Sequence, residues 1–309
     1  MKKLFKVPLM ILFALVTLLI INSAVHHLLL KVEQDKIAPN GVIVEVNGHN
    51  MHIYYEGVAN DKPTLVFLSG SATVAPVYDF KPLYSKLSDS YQIVVIEKAG
   101  YGYSDACDIP RDVDTIVDES RQALELAGIM GEYVLLPHSI SGLEAIYWAQ
   151  KYPDEINSII GLDMALPDHY MNMDYEKISR IFAVGNVAKF LGLHRTFGFL
   201  YPLNNAKLDD EEIMQQKYLM YKNAVNNIYY IEGTYAYDNA IKIKDMEIPN
   251  IKIMFMVSDG TETTEDWIEI TEKYAEQVDG QIVYYDCGHY IHYYEADDIV
   301  ANIKEFLEE

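Results

Sequence analysis

The spacing of apolar positions changes several times along the chain, and each change marks an element. From Val7 to Ile21, extended through Asn22 and Ser23 to Val25, the residues are apolar with no polar stripe at helical spacing. Such a run approaches the length that crosses a bilayer and is not the pattern of a helix with one face in water. GVIVEV and MHIYYE then alternate apolar and polar residues around Asn47-Gly48. That dipeptide accepts the positive φ angles of a two-residue turn, so the spacing predicts a β-hairpin. TLVFL (64–68) is continuously apolar, as a strand buried on both faces would be. QIVVIE (92–97), YVLL (133–136) and NSIIGL (157–162) follow, separated by helical stretches over about 115–127 and 142–151 that end at Gly128 and at Tyr152-Pro153. This alternation implies βαβ units, a mostly parallel sheet and helices on both of its faces.

The alternation lapses between about Pro167 and Asp245. Tyr, Met, Phe and Asn are abundant there, and helical patterns such as EEIMQQKYLMYKNAV occur without strand runs. An inserted helical cap is the reading. IKIMFMV (251–257), a helix over 265–278, QIVYYD (281–286) and a last helix over 298–307 complete the sheet domain. The expected organisation is a membrane anchor and its flank (1–31), the first part of an α/β core (32–166), a helical cap (167–247) and the second part of the core (248–309). No GxxxxGK[ST] or GxGxxG phosphate loop follows any strand.

Half of the 309 residues are hydrophobic and 23% are charged, which is the balance of a folded chain. The formal charge of −22 repels phosphate backbones, so no nucleic-acid partner is expected. The two cysteines, Cys107 and Cys287, can build neither a disulfide-dense scaffold nor a CxxC metal site, and are read as unpaired thiols. Lys2, Lys3 and Lys6 precede the apolar run, and a mixed stretch with Lys31, Glu33, Asp35 and Lys36 follows it. The positive end is expected in the cytoplasm, giving a single-pass protein whose folded part lies outside. Cleavage after Ala24 would put Asn22 where a small residue is needed, so the anchor is expected to be retained.

The strongest local signal for chemistry is Leu136-Pro137-His138-Ser139-Ile140-Ser141-Gly142, where a buried strand turns directly into a helix. A serine on such a turn projects its hydroxyl from the sheet, and the N–H groups that follow face an incoming oxyanion. Together with Leu68-Ser69-Gly70-Ser71, the turn Glu97-Lys98-Ala99-Gly100-Tyr101-Gly102-Tyr103-Ser104 and the late Gly288-His289, it resembles the capped α/β-hydrolases from about Gly41 to Glu309. Pro137, Ser69 and Glu97 depart from that family's usual glycine, histidine and aspartate. The resemblance implies a nucleophile elbow at Ser139 and an oxyanion hole from the N–H groups of Ser71 and Ile140. It also implies a histidine base on the loop holding His289, with no cofactor required. His292 is the runner-up base, and no third ligand suggests a metal between the two. For the acid that orients the imidazole, Asp259 ranks first and Asp163 is the alternative, both standing at strand ends. Aligning the later loop by frame puts the acid nearer Thr261 or Glu262.

The function expected is hydrolysis of an ester or amide of a small, largely apolar substrate through an acyl-enzyme at Ser139. Two readings compete: a non-catalytic ligand-binding or sensor module on the same fold, and a proline-releasing aminopeptidase whose cap would grip the substrate amine with Asp209, Asp210, Glu211 and Glu212. A solvated helix start is the preferred explanation of those four.

Overall fold

The computed structural model describes residues 6–58, 61–200, 203–204 and 206–308. Lys2 and Lys3, on which the expected orientation of the anchor partly rests, lie outside the described residues. Among the described residues one eight-stranded sheet runs in the order β1-β2-β4-β3-β5-β6-β7-β8. The strands are β1 (Val42–Val46), β2 (His49–Gly57), β3 (Thr64–Leu68), β4 (Gln92–Glu97), β5 (Tyr133–Ser139), β6 (Ile156–Met164), β7 (Lys252–Val257) and β8 (Gln281–Tyr284). β1 and β2 form the antiparallel hairpin, with Asn47 and Gly48 both at positive φ, and β2 joins β4 antiparallel. Every later pairing is parallel.

The longer helices are α1 (Lys6–Gln34), α2 (Val113–Leu126), α3 (Ser141–Lys151), α4 (Tyr175–Phe190), α5 (Asp210–Asn223), α6 (Asn227–Lys244), α7 (Trp267–Val278) and α8 (Ala296–Glu308). The two faces of the sheet carry separate cores: Val66, Leu135, Ile146, Trp148 and Phe255 belong to one, and Phe67, Phe80, Leu136, Ile160 and Ile303 to the other. Continuous apolar strands are thus explained, because alternate side chains enter opposite cores. Pro137 stands inside an interior strand opposite Leu68, where proline is uncommon because it cannot donate to the ladder. Cys107 and Cys287 are both free thiols, and burial pushes the Cys287 thiol up to about 11.

The turn after β4 seats the helices inserted between β6 and β7. Glu97 is fully buried and accepts from His52 Nδ1 at 2.9 Å, Tyr103 N–H at 2.7 Å and Val77 N–H at 3.2 Å. Gly102 sits at φ 48°, and a Cβ there would lie 2.0 Å from the Glu97 carboxylate. Only glycine satisfies both conditions. The carbonyls thereby exposed receive the insertion: Asn223 Nδ2 donates to Gly102 O and Asn226 Nδ2 to Gly100 O, each at 2.7 Å. Lys98 turns inward from the same segment to Glu144 on α3 and Glu232 on α6, at 2.5 Å each.

Candidate active site

Ser139 closes β5 at φ 55°, a left-handed conformation that a non-glycine residue adopts only when its surroundings enforce it. Two enforcing contacts are visible. A Cβ on Gly142 would fall 2.1 Å from Ala165 O, so the first turn of α3 can approach the end of β6 only because that residue is glycine. Ser141 Oγ accepts the His138 N–H at 3.0 Å and lies 2.8 Å from the carbonyl oxygens of Leu68 and His138, tying the ends of β3 and β5 together. Gly70 is pressed on the same spot: its Cβ would be 2.9 Å from Ser139 Cβ and 2.8 Å from His138 Nδ1. The loop after β3 therefore lies directly against the serine. The N–H groups of Ser71 and Ile140 have no protein acceptor among the described residues, which leaves both as donors for an incoming oxygen.

His289 follows β8 and places its Nδ1 2.6 Å from Asp163 Oδ2. Asp163, at the end of β6, is buried and is also at a left-handed φ, 49°. Its other oxygen, Oδ1, accepts the Ser258 N–H at 2.9 Å and the Trp267 Nε1–H at 2.8 Å. Three donors converge on one carboxylate and fix its orientation. Asp259, ranked first from sequence, is elsewhere: its carboxylate folds back onto its own turn, accepting from Thr261 N–H at 2.8 Å and Thr261 Oγ1 at 2.6 Å at the surface. The short aspartate side chain finds those local donors two residues on, an ordinary turn interaction. Hydrogen bonds from Thr261 hold the Asp259 carboxyl below its usual range. Glu262 meets the main chain of His289, accepting its N–H at 3.0 Å, and does not meet the ring.

His292 is fully buried and turns to Asp79, with Nε2 3.3 Å from Oδ2, and its ring packs on Phe80. It does not meet Asp163. Ser139 Oγ and the His289 ring are not hydrogen-bonded to each other. They are neighbours through His138, whose ring centroid lies 4.6 Å from that of His289 and whose Nε2 reaches His289 O at 3.2 Å. Such bonds are often long before substrate is present. Burial, aided by His289 and His292, holds the His138 imidazole well below its usual pKa, so it stays neutral and can donate from Nε2.

Two supporting residues, His138 and Trp267, were given no role in the sequence reading. The histidine directly before the serine was a signal for the first. Trp267 had none, because its contact with Asp163 spans 104 positions. Behind it His169 stacks on the indole at 4.0 Å, accepts the Leu166 N–H at 2.8 Å and donates to Trp267 O at 3.1 Å. Burial lowers its pKa to about 4, which keeps the ring neutral as both bonds require. The acidic group at the start of α5 proves to be a helix cap: Asp209 accepts from the N–H groups of Glu211 and Glu212, while Glu212 returns to Asp209 N–H and pairs with Lys81.

No protein-family model matches the chain. The chain is 34% identical to the uncharacterized protein YbdG of Bacillus subtilis, with 99% of each chain covered. It is 22% identical to epoxide hydrolase 1 of Caenorhabditis elegans over 82% of this chain and 67% of that one. The enol-lactonase from Burkholderia xenovorans superposes with a TM-score of 0.59 at 16% identity, covering 87% of this chain and all of the other.

Proposed function

This chain is a hydrolase of the α/β-hydrolase family, and we propose that it is a membrane-anchored serine hydrolase acting on an ester or amide of a small, largely apolar substrate. The observation that carries this reading is the 2.6 Å contact between His289 Nδ1 and a buried, triply hydrogen-bonded Asp163 beside a serine held at positive φ. Asp163 keeps the proton on Nδ1, so Nε2 presents a lone pair to Ser139. The Ser139 oxygen attacks the carbonyl carbon while its proton passes to Nε2. The oxyanion that forms is met by the N–H groups of Ser71 and Ile140. Collapse of that intermediate breaks the bond to the leaving alcohol or amine, which takes the proton from Nε2. Water, deprotonated by the same nitrogen, then releases the acid and restores Ser139.

The anchor in this reading is α1, long and apolar enough to cross a membrane. Basic residues before it and the mixed-charge flank after it support an orientation with the N-terminus in the cytoplasm and the catalytic domain outside. No cofactor enters the steps above. Asp209 and Glu212 are engaged in capping α5, and Glu212 also pairs with Lys81, which argues against the aminopeptidase reading.

A fluorophosphonate probe is expected to label the intact protein at Ser139, as mapped by mass spectrometry. His289→Ala should abolish labelling and His292→Ala should retain it. Absence of label in the intact protein would favour the non-catalytic reading. Trp267→Phe removes one donor to Asp163 and preserves most of the packing. It is expected to lower kcat/KM by about ten- to a hundredfold, the effect of losing a hydrogen bond to a charged group worth ~1.5–3 kcal/mol; an unchanged kcat/KM would show that the indole N–H does not position the acid.

A further inference from the structure

α4 is built the wrong way round for a helix in water. Over its C-terminal two-thirds the exposed positions are Ile181, Ala183, Val184, Asn186, Val187 and Phe190, of which Asn186 alone is polar, and Val184 is 71% exposed. Glu176, Lys177 and Arg180 stand at its start, where Glu176 and Arg180 pair with one another, and the one charge near its end, Lys189, is partly buried. The apolar row continues beyond the helix in exposed Phe197 and Phe199. A contiguous apolar surface of this kind marks a binding face.

What covers it is indicated by where α4 ends. Its terminus is locked to α1: Asn22 Nδ2 donates to Leu191 O and Ser23 Oγ to Phe190 O, each at 2.7 Å, and Thr196 Oγ1 donates to Asn22 Oδ1 at 2.8 Å. Arg195 grips Glu33 with both terminal nitrogens, at 2.7 and 2.5 Å. Gly192, at φ 73°, lets the chain pass His26, where a Cβ would sit 2.6 Å from the His26 Cβ. A span needs about 20 residues, so a crossing that begins near Val7 ends near His26. Asn22 and Ser23 are then within the last turns of the span, and the end of α4 is held at the depth of the hydrocarbon boundary.

We infer that the apolar face of α4 lies in the bilayer leaflet on the catalytic domain's side, so that α1 and α4 form one membrane-embedded unit. The inference rests on the reading of α1 as a spanning anchor. It gives the charged start of α4 to the headgroup region and the row from Ile181 to Phe190 to the acyl chains, the division an interfacial helix makes. It also places the inserted helices against a lipid phase in which apolar esters concentrate.

The test is nitroxide accessibility in full-length protein in phosphatidylcholine–phosphatidylglycerol nanodiscs. The background carries Cys107→Ser and Cys287→Ser, and labels are placed singly through Leu15→Cys, Glu176→Cys, Val184→Cys and Val187→Cys. All four sites are solvent-facing in the isolated chain, and gel filtration checks that each labelled protein stays monodisperse. At 184 and 187 collision with a water-soluble nickel chelate should be lost while collision with oxygen persists, as at 15, whereas 176 keeps the chelate signal. Chelate collisions at 184 and 187 equal to those at 176, with 15 shielded, would overturn the inference and leave the anchor intact. Chelate collisions at 15 as well would overturn the anchor reading and the inference with it. Shielding at 184 accompanied by label–label broadening would show a second copy of the chain on this face, and would also overturn it.

Discussion

Asp163→Asn is expected to lower kcat by about four orders of magnitude with little change in KM, the effect of leaving the imidazole in the wrong tautomer. The reason is local to this site. Ser258 N–H and Trp267 Nε1–H both point at Oδ1 and require an acceptor. An asparagine must turn its carbonyl oxygen toward them, which presents its amide NH2 to His289 Nδ1. That nitrogen then has to be the unprotonated one, the proton moves to Nε2, and the ring can no longer take the proton of Ser139. Asp259→Asn touches only the turn at Thr261, so activity is expected to stay within about twofold, as for most surface substitutions. Arylester turnover and the rate of fluorophosphonate labelling measure both variants. The reverse ranking, with Asp259→Asn inactive and Asp163→Asn active, would refute the assignment of the acid.

Lys98→Met is expected to cost stability more than any other substitution considered for this chain. Lys98 is buried between Glu144 and Glu232, and Tyr101 donates to the second oxygen of Glu232 at 2.5 Å. The two carboxylates outweigh the effect of burial and raise the pKa of the lysine. Removing it leaves two buried acids without a counter-charge, a change worth about 3–5 kcal/mol in comparable pairs. The loss should depend on pH. Burial holds the Glu144 carboxyl up at about 6, above its ordinary 4.5. A group raised in the folded state contributes stability below its unfolded pKa and loses it as pH rises through the folded value. Ionisation of Glu144 therefore already weakens the intact protein as pH climbs from about 4.5 past 6. In Lys98→Met the same carboxyl is expected to stay protonated to still higher pH. Urea unfolding at pH 5 and pH 8 should show a small deficit at the first and the full deficit at the second. An equal deficit at both would mean that lost packing, and not uncompensated charge, sets the cost. Because Glu144 belongs to the helix that begins at the serine and Glu232 to α6, the same variant is expected to loosen the inserted helices from the core.

Much of this was legible in the chain before folding was considered. The hairpin at Asn47-Gly48, the buried strands TLVFL and QIVVIE and the strand-to-helix turn at Ser139 all announce themselves through residues adjacent in sequence. Positive φ, alternate burial and close approach are conditions on neighbours. His289 stood out in the same way, as the histidine after the last strand with a glycine directly before it.

The choice between Asp163 and Asp259 was of another kind. Both follow strands, both precede loops, and nothing within ten residues of either says which carboxylate meets the histidine. The fold decides it by sending the main chain at Ser258 and the indole of Trp267 to Asp163, and by giving Asp259 a threonine of its own. Helical spacing in α4 likewise says which residues share a face, but only the contacts with Asn22 and Ser23 say which way that face is turned. By itself the sequence determined the elements, the strand-to-helix turn at Ser139 and the fold they build, because each is encoded by periodicity or by groups a few bonds apart. The partner of His289, the props beneath it and the seat of the inserted helices were decided by tertiary structure, because each is a contact whose two halves lie dozens of residues or more apart and meet only when the whole sheet has set their register.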